Sequence, residues 1–386
     1  PLGRMAGRTY IINSSLTTTA MAIGAGEKPS VISAIMKYHT TELTRLIGID
    51  AMDIHGGKAV MLGPKNYLST AHESAPIAIT VEGANIMTRS LIIFGQGAFR
   101  CHPYVLKEIE AINIEDQREA IEQFDLHFFN HIGYTITNAA SSLIRGITDK
   151  FTDSPVLDET AIYYRAINRF SAAFALLTDL SMLVIGGSLK RKESISARLG
   201  DILSALYLAS TALKYYEDIG DKESELSLLH WTQKTLINEA QEKIHQTLSN
   251  FPNKIVSILL RLIIFPLGRN FQGPSIEDTL KIGRLISRKT KTRENLIQGI
   301  YLQDEETNTY AQMNKALELY EQCKQASLEI NKAKKKGLIT ANNFNELVES
   351  VNLLWKLFGH FLAKKLKVIG KPQNVFWKPD LRYMLL

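Results

Sequence analysis

Glu82 ends an apolar run. In APIAITVEGANIMTRS (Ala75 to Ser90) the carboxylate follows Ile77-Ala78-Ile79-Thr80-Val81 directly, and Gly83 comes next. A carboxylate beside apolar neighbours is partly desolvated, which raises its basicity. Such a group acts as a general base when a substrate proton is brought to it. Gly83 removes a side chain beside the acid and lets a substrate approach the backbone. A second reading stays open on pattern alone. A helix begins near Asn85, and an acid just ahead of a helix start is favoured by the helix dipole.

Other stretches carry chemistry-bearing residues with plainer readings beside them. Cys101 and His102 are adjacent. Neighbours on a helix point about 100° apart and do not form a nucleophile–base dyad. HFFNH places His127 and His131 on one helix face, but Phe128 stands where a zincin glutamate would be and no third ligand is evident, so no metal site is expected. GGSLKRKE from Gly186 sets Lys190, Arg191 and Lys192 at a helix boundary, where a phosphate or plain solvent satisfies them. NKIVSILLRLIIFPLGRN (Asn253 to Asn270) is nearly all apolar, with Lys254, Arg261 and Arg269 as its charges. It is too short to span a bilayer, and reads either as a helix lying in a membrane interface or as a buried helix. A tail helix with Trp355, Phe358 and Phe361 ahead of AKKLK fits the same peripheral role.

The elements that must position these residues read as helices throughout. Ile32, Ile35, Met36, Leu43, Leu46 and Ile47 fall on one face of a helix that Pro29 starts and Gly56-Gly57 ends. GPKNYL from Gly63 is a turn and restart. Further helices are expected over 115–147, 159–185, 191–218, 223–249, 253–265, 310–335 and 341–367, and no long stretch alternates with period two. The fold class is therefore all-α. The 386 residues carry a net charge of +6, 45% hydrophobic and 22% charged residues, which is the balance of a globular chain able to bury a large core. The mild positive charge suits anionic partners. No basic cluster is interleaved with aromatics, so nucleic acid is not an expected partner. The two cysteines, Cys101 and Cys323, make no metal spacing and no disulfide framework, which fits a reducing cytoplasm. No apolar run approaches the roughly 20 residues a transmembrane helix needs. The chain begins at Pro1, as expected of a piece of a longer polypeptide.

DAMDIHGGKAV followed by APIAITVEGANIMTRSLIIFGQGAFRCHPYV resembles the C-terminal helical domain of the acyl-CoA dehydrogenases. The likeness is to the large proteobacterial enzymes of fatty-acid β-oxidation, which carry an extra helical C-terminal region. It runs from Pro1 to about Lys289 and takes in SLKRKESISARLGDILSALYLAS and NFPNKIVSILLRLIIFPLGR. The resemblance implies a helical bundle over 1–112 carrying the base and a helical extension over 113–386. It implies FAD as cofactor and a medium- or long-chain fatty acyl-CoA as substrate. Glu82 would take the α-proton while a hydride leaves the β-carbon for the flavin, giving a trans-2-enoyl-CoA. It implies an electron acceptor such as electron-transferring flavoprotein and a homo-oligomer. The cysteine usage and the interfacial reading of Asn253 to Asn270 set the expected location, the cytoplasm with peripheral contact at the inner membrane.

The family's glycine pair, which approaches the FAD pyrophosphate of a neighbouring subunit, falls on Gly56 and Gly57. Asp53 replaces the glutamine that leads that motif, and Lys58 beside the pair offsets its charge. Ala84 stands where relatives often have threonine, and Arg89 matches a common arginine. The resemblance assigns Gly83 and Asn85, as pocket neighbours of the base, to cofactor binding together with Gly56 and Gly57. Nothing in the chain reads as the β-rich middle domain that closes the acyl pocket. The competing reading is a non-catalytic helical interaction or membrane-docking module without flavin domains.

Overall fold

The structure is a computed structural model describing residues 1–63, 66–97, 101–148, 154–219, 222–303 and 307–337, with Glu346. The expected tail helix over 341–367, with Trp355, Phe358 and Phe361, lies outside the described residues. Among them every regular element is helical: α1 (Leu2–Gly24), α2 (Ser30–His55), α3 (Ser69–Thr80), α4 (Asn85–Met87) running into a π-helix (Thr88–Gln96), α5 (Val105–Ile112), α6 (Gln117–Ile147), α7 (Ala161–Ile185), α8 (Glu193–Asp218), α9 (Lys222–Ser249), α10 (Lys254–Ile264), α11 (Ile276–Ile286), α12 (Lys291–Leu296) and α13 (Thr309–Lys335).

Local chemistry sets the ends. Asp116 caps α6 by accepting from the N–H of Arg118 and Glu119, and Asn253 caps α10 through Ile255 and Val256. Ser275 and Asp278 form a reciprocal capping box on α11. Gly56 closes α2 at φ +55, a backbone conformation that excludes most side chains.

The chain divides into two compact units, Pro1–Ile300 and Tyr301–Leu386. In the second, α13 is capped by Asn308. In the first, α8 is the central helix. Leu199, Ile202, Leu208, Ala209 and Ala212 are buried along it, and α1, α7, α9 and the π-helix all pack on it. So α1, from the expected segment 1–112, rests on elements of 113–386.

The α1 approach is close because it presents glycine. A Cβ built on Gly7 would lie 2.1 Å from Trp231 Cε3 of α9, far inside contact distance. Gly7→Ala should therefore destabilise the chain by about 2–3 kcal/mol through overpacking, read as a lower urea midpoint with an unchanged slope.

One sequence expectation is corrected. Ala161–Leu189 is long and apolar enough to cross a membrane. Its packing is that of a core helix: α7 meets α6, α8 and α9, and it buries Phe170, Ala173 and Leu177 together with Arg169. The Arg169 guanidinium donates to Asn270 Oδ1 and to the Ile264 carbonyl.

Candidate functional site

The turn between α3 and α4 is built on strained backbone. Val81 is extended, Glu82 sits at φ +53, Gly83 at φ +94, and Ala84 leads into α4. Glu82 is the only described non-glycine residue with positive φ. The left-handed conformation costs a residue with a Cβ about 1–2 kcal/mol. A glycine would adopt it freely, so the local backbone alone does not call for glutamate there.

A clamp from α2 holds this turn. Lys37 Nζ donates to the Gly83 carbonyl at 2.6 Å, to Asn85 Oδ1 at 2.7 Å, and to the Ile79 carbonyl at 3.4 Å near the end of α3. Asn85 is buried, and its amide donates to Thr41 Oγ1 and Glu42 Oε1, both at 2.9 Å. The Thr88 hydroxyl also donates to the Gly83 carbonyl, at 3.4 Å. Asn85 thus turns its side chain inward to α2. Lys37, Thr41 and Glu42 were not singled out in the sequence. Their only signal was the spacing of Lys37 and Thr41, four residues apart on one face, in a helix with many other polar residues. Lys37→Met should cost about 1 kcal/mol, since it strips a charged donor from the buried Asn85 side chain and from two more open carbonyls. Hydrogen exchange should rise selectively at residues 81–85.

Glu82 itself is exposed, and so are Ile77, Val81, Ile86 and Met87 around it. The desolvation expected from the apolar run is not supplied by α3, which buries no residue. These side chains form an apolar surface around an acid rather than a closed pocket.

Gly56 and Gly57 lie elsewhere. Thr41 and Gly56 are fifteen positions apart on α2, about 20 Å along the axis at the usual rise. The chain therefore does not bring the glycine pair to Glu82. Both glycines are exposed, with open space where each Cβ would be. That bare backbone fits the close approach of a pyrophosphate. Asp53, one turn earlier, is exposed and opposes a phosphate, while the exposed Lys58 offers the opposite charge.

Arg89 belongs to the scaffold beneath the turn. Its Nε and Nη2 donate to Asp201 of α8 at 2.7 and 2.6 Å, and Lys243 of α9 donates to the same carboxylate at 2.8 Å. Burial alone would raise the Asp201 carboxyl. The Arg89 hydrogen bonds and the Lys243 charge outweigh it and hold it below the usual range. Beside this cluster burial pushes the His39 imidazole down to about 4, and its Nε2 has no hydrogen-bond partner. Asp201 had a sequence signal: a lone acid among Leu199, Ile202 and Ala205 on an apolar face.

The histidine pairing seen in sequence is revised. His131 meets His102, not His127, because the chain from His102 through α5 folds back on α6. His102, His131 and Asp179 bring ligand atoms within 4.8 Å of one another, so a third ligand type does exist. The hydrogen bonds decide how to read them. His102 Nδ1 accepts from the N–H of Tyr104 and Val105, both at 3.2 Å. Its proton is therefore on Nε2, which donates to Asp179 Oδ1 at 2.8 Å. The Thr135 hydroxyl donates to Asp179 Oδ2 at 2.7 Å, and His131 Nδ1 donates to Glu108 Oε1 at 2.8 Å. A metal on His102 Nε2 would displace that proton and turn Nδ1 into a donor facing two N–H groups. The group reads as a polar bridge joining α5, α6 and α7. Cys101 is exposed and takes no part in the bridge. Gly186–Arg191 forms a 3₁₀ turn closing α7, with Leu189 buried.

Two family models match the chain. One, described as acyl-CoA dehydrogenase, C-terminal domain, covers residues 1–95. The other, described as acyl-CoA dehydrogenase, C-terminal, bacterial type, covers 99–352, well past Lys289 where the sequence likeness faded. Among solved structures, an acyl-CoA dehydrogenase complexed with FAD from Bacillus anthracis is similar at 16% identity and a TM-score of 0.55. The match takes in 74% of this chain and 47% of that one, so the chain corresponds to about half the length of that protein.

Proposed function

This chain belongs to the acyl-CoA dehydrogenase C-terminal family of bacterial type, and on that premise we propose that it supplies the catalytic base of a fatty acyl-CoA dehydrogenase. The reaction is the α,β-dehydrogenation of a medium- or long-chain acyl-CoA to the trans-2-enoyl-CoA, the first oxidation of fatty-acid β-oxidation. Glu82 accepts the α-proton on a carboxylate oxygen. FAD, when bound, supplies the hydride acceptor. The Glu82 N–H, offered by a turn that Lys37 and Asn85 hold, donates to the thioester oxygen as negative charge builds there. Ile77, Val81, Ile86 and Met87 present the apolar surface against which an acyl chain and covering protein would exclude water. Gly56 and Gly57, at the end of α2 far from Thr41, would receive the cofactor pyrophosphate of a neighbouring subunit, which makes a homo-oligomer part of the reading. An electron-transferring flavoprotein is the proposed acceptor, and the cytoplasm, with contact at the inner membrane, the proposed location.

The observation that carries this reading is Glu82 at φ +53. A charged side chain kept in a conformation that suits glycine is held there for the side chain. The test is product formation. The full natural polypeptide containing this chain, given palmitoyl-CoA and an artificial electron acceptor, should release the 2-enoyl thioester, identified by mass. Turnover that needs no acyl-CoA, or a product not two hydrogens lighter than its substrate, would sink it.

A further inference from the structure

We infer that the outer faces of α6 and α10 form one docking surface for an anionic phospholipid bilayer, with both helices lying in its plane. The inference does not rest on the dehydrogenase reading. α10 is apolar on two sides. Inward it buries Leu260 and Ile264. Outward, Ile255, Ile258, Leu259 and Leu262 are 72, 59, 55 and 61% exposed. That spacing of three, four and seven is a continuous helical stripe, and scattered surface residues do not produce it.

The second half of the surface comes from α6, where the sequence offered no such signal. Phe129, Ile132, Ile136, Leu143, Ile144 and Ile147 are all exposed along it. α10 packs on α6, and the junction is tight: a Cβ on Gly146 would lie 2.8 Å from the Pro266 ring. Leu267, just past it, is exposed as well.

Charge selects the occupant. Residues 126–148 and 250–275 contain no aspartate or glutamate. The cations there are Arg145, Lys254, Arg261 and Arg269, the last paired with Glu242. On α6 the acids Glu119, Glu122 and Asp125 are confined to the N-terminal turns, ahead of the exposed stripe. An apolar stripe whose charges along α10 are all cations matches lipid tails beneath anionic headgroups. A helix of eleven residues cannot span the bilayer and must lie along it.

The test is flotation of the full chain with vesicles of equal parts phosphatidylglycerol and phosphatidylethanolamine, against vesicles of phosphatidylcholine alone. The chain should float with the anionic vesicles and remain in the load with the neutral ones. Ile258→Gln with Leu262→Gln, and separately Ile136→Gln with Ile144→Gln, should each weaken partitioning by at least about tenfold. Helicity and melting temperature should stay unchanged, because all four sites are exposed. Failure of the wild type to float, or flotation unaffected by either pair, overturns the inference. Equal flotation on neutral vesicles overturns the choice of anionic lipid. Self-association without flotation, abolished by the same substitutions, assigns the face to a second copy and overturns it too.

Discussion

Glu82→Gln should lower the rate of acyl-CoA oxidation by about 10³–10⁴ while the protein folds normally and keeps its flavin. General-base catalysis typically contributes about 10²–10⁴, and a glutamine of the same shape cannot accept the proton. Folding should survive because Glu82 is exposed and its turn is held by Lys37 and Asn85, not by its own carboxylate. Glu82→Gly separates the roles further. Glycine relieves the cost of φ +53 but adds entropy to the unfolded chain, so stability should be unchanged or up to about 1 kcal/mol higher. Activity should be lost as completely as with glutamine. A glycine variant that is both inactive and markedly less stable would show that the glutamate serves the fold instead.

The second large effect is on stability below neutral pH. Burial holds His39 down at about 4 in the folded chain, while an unfolded histidine titrates near 6.5. Between those values the unfolded state binds the extra proton, so stability falls as pH falls through this window and is fully present above it. The loss from about pH 7 to about pH 5 is about 2 kcal/mol, and the whole window is worth about 3 kcal/mol. The cause is structural. The ring is partly buried, with its Nε2 shielded and unpartnered, close to the Arg89–Asp201–Lys243 cluster, so protonation would add a poorly solvated charge. Asp201, held low, adds its own loss only under more acid conditions. Urea unfolding at both pH values, in wild type and His39→Gln, isolates the effect. The variant should lose the part of the slope due to histidine. Identical slopes would contradict it.

Much of the fold was legible because helix ends carry local chemistry. Pro29 and Gly56-Gly57 bracket α2, and Asn253 caps α10. α3 was harder. Pro76 lies inside it, and its apolar run Ile77–Val81 has no helical period of its own. The π-helix over Thr88–Gln96 was invisible, because side-chain spacing over nine residues does not separate it from an α-helix. Within the site, Glu82 and Gly83 stood out through their neighbours in sequence. The clamp did not, because Lys37 and Gly83 meet across two helices and the intervening chain. His102 and His131 show the same limit. A spacing of four made His127 the apparent partner, and only the packing of α5 on α6 selects His102. Exposure was the other failure. Apolar neighbours in sequence predict burial only when something covers them, and around Glu82 this chain leaves them open.

The central claim is that Glu82 takes the α-proton of an acyl-CoA. Its most direct test is anaerobic stopped-flow bleaching of bound flavin by palmitoyl-CoA in the full-length polypeptide, wild type against Glu82→Gln. The account predicts rapid bleaching in the wild type and almost none in the variant, with flavin bound equally in both. Equal bleaching in the two proteins would assign the proton to another residue and contradict the account.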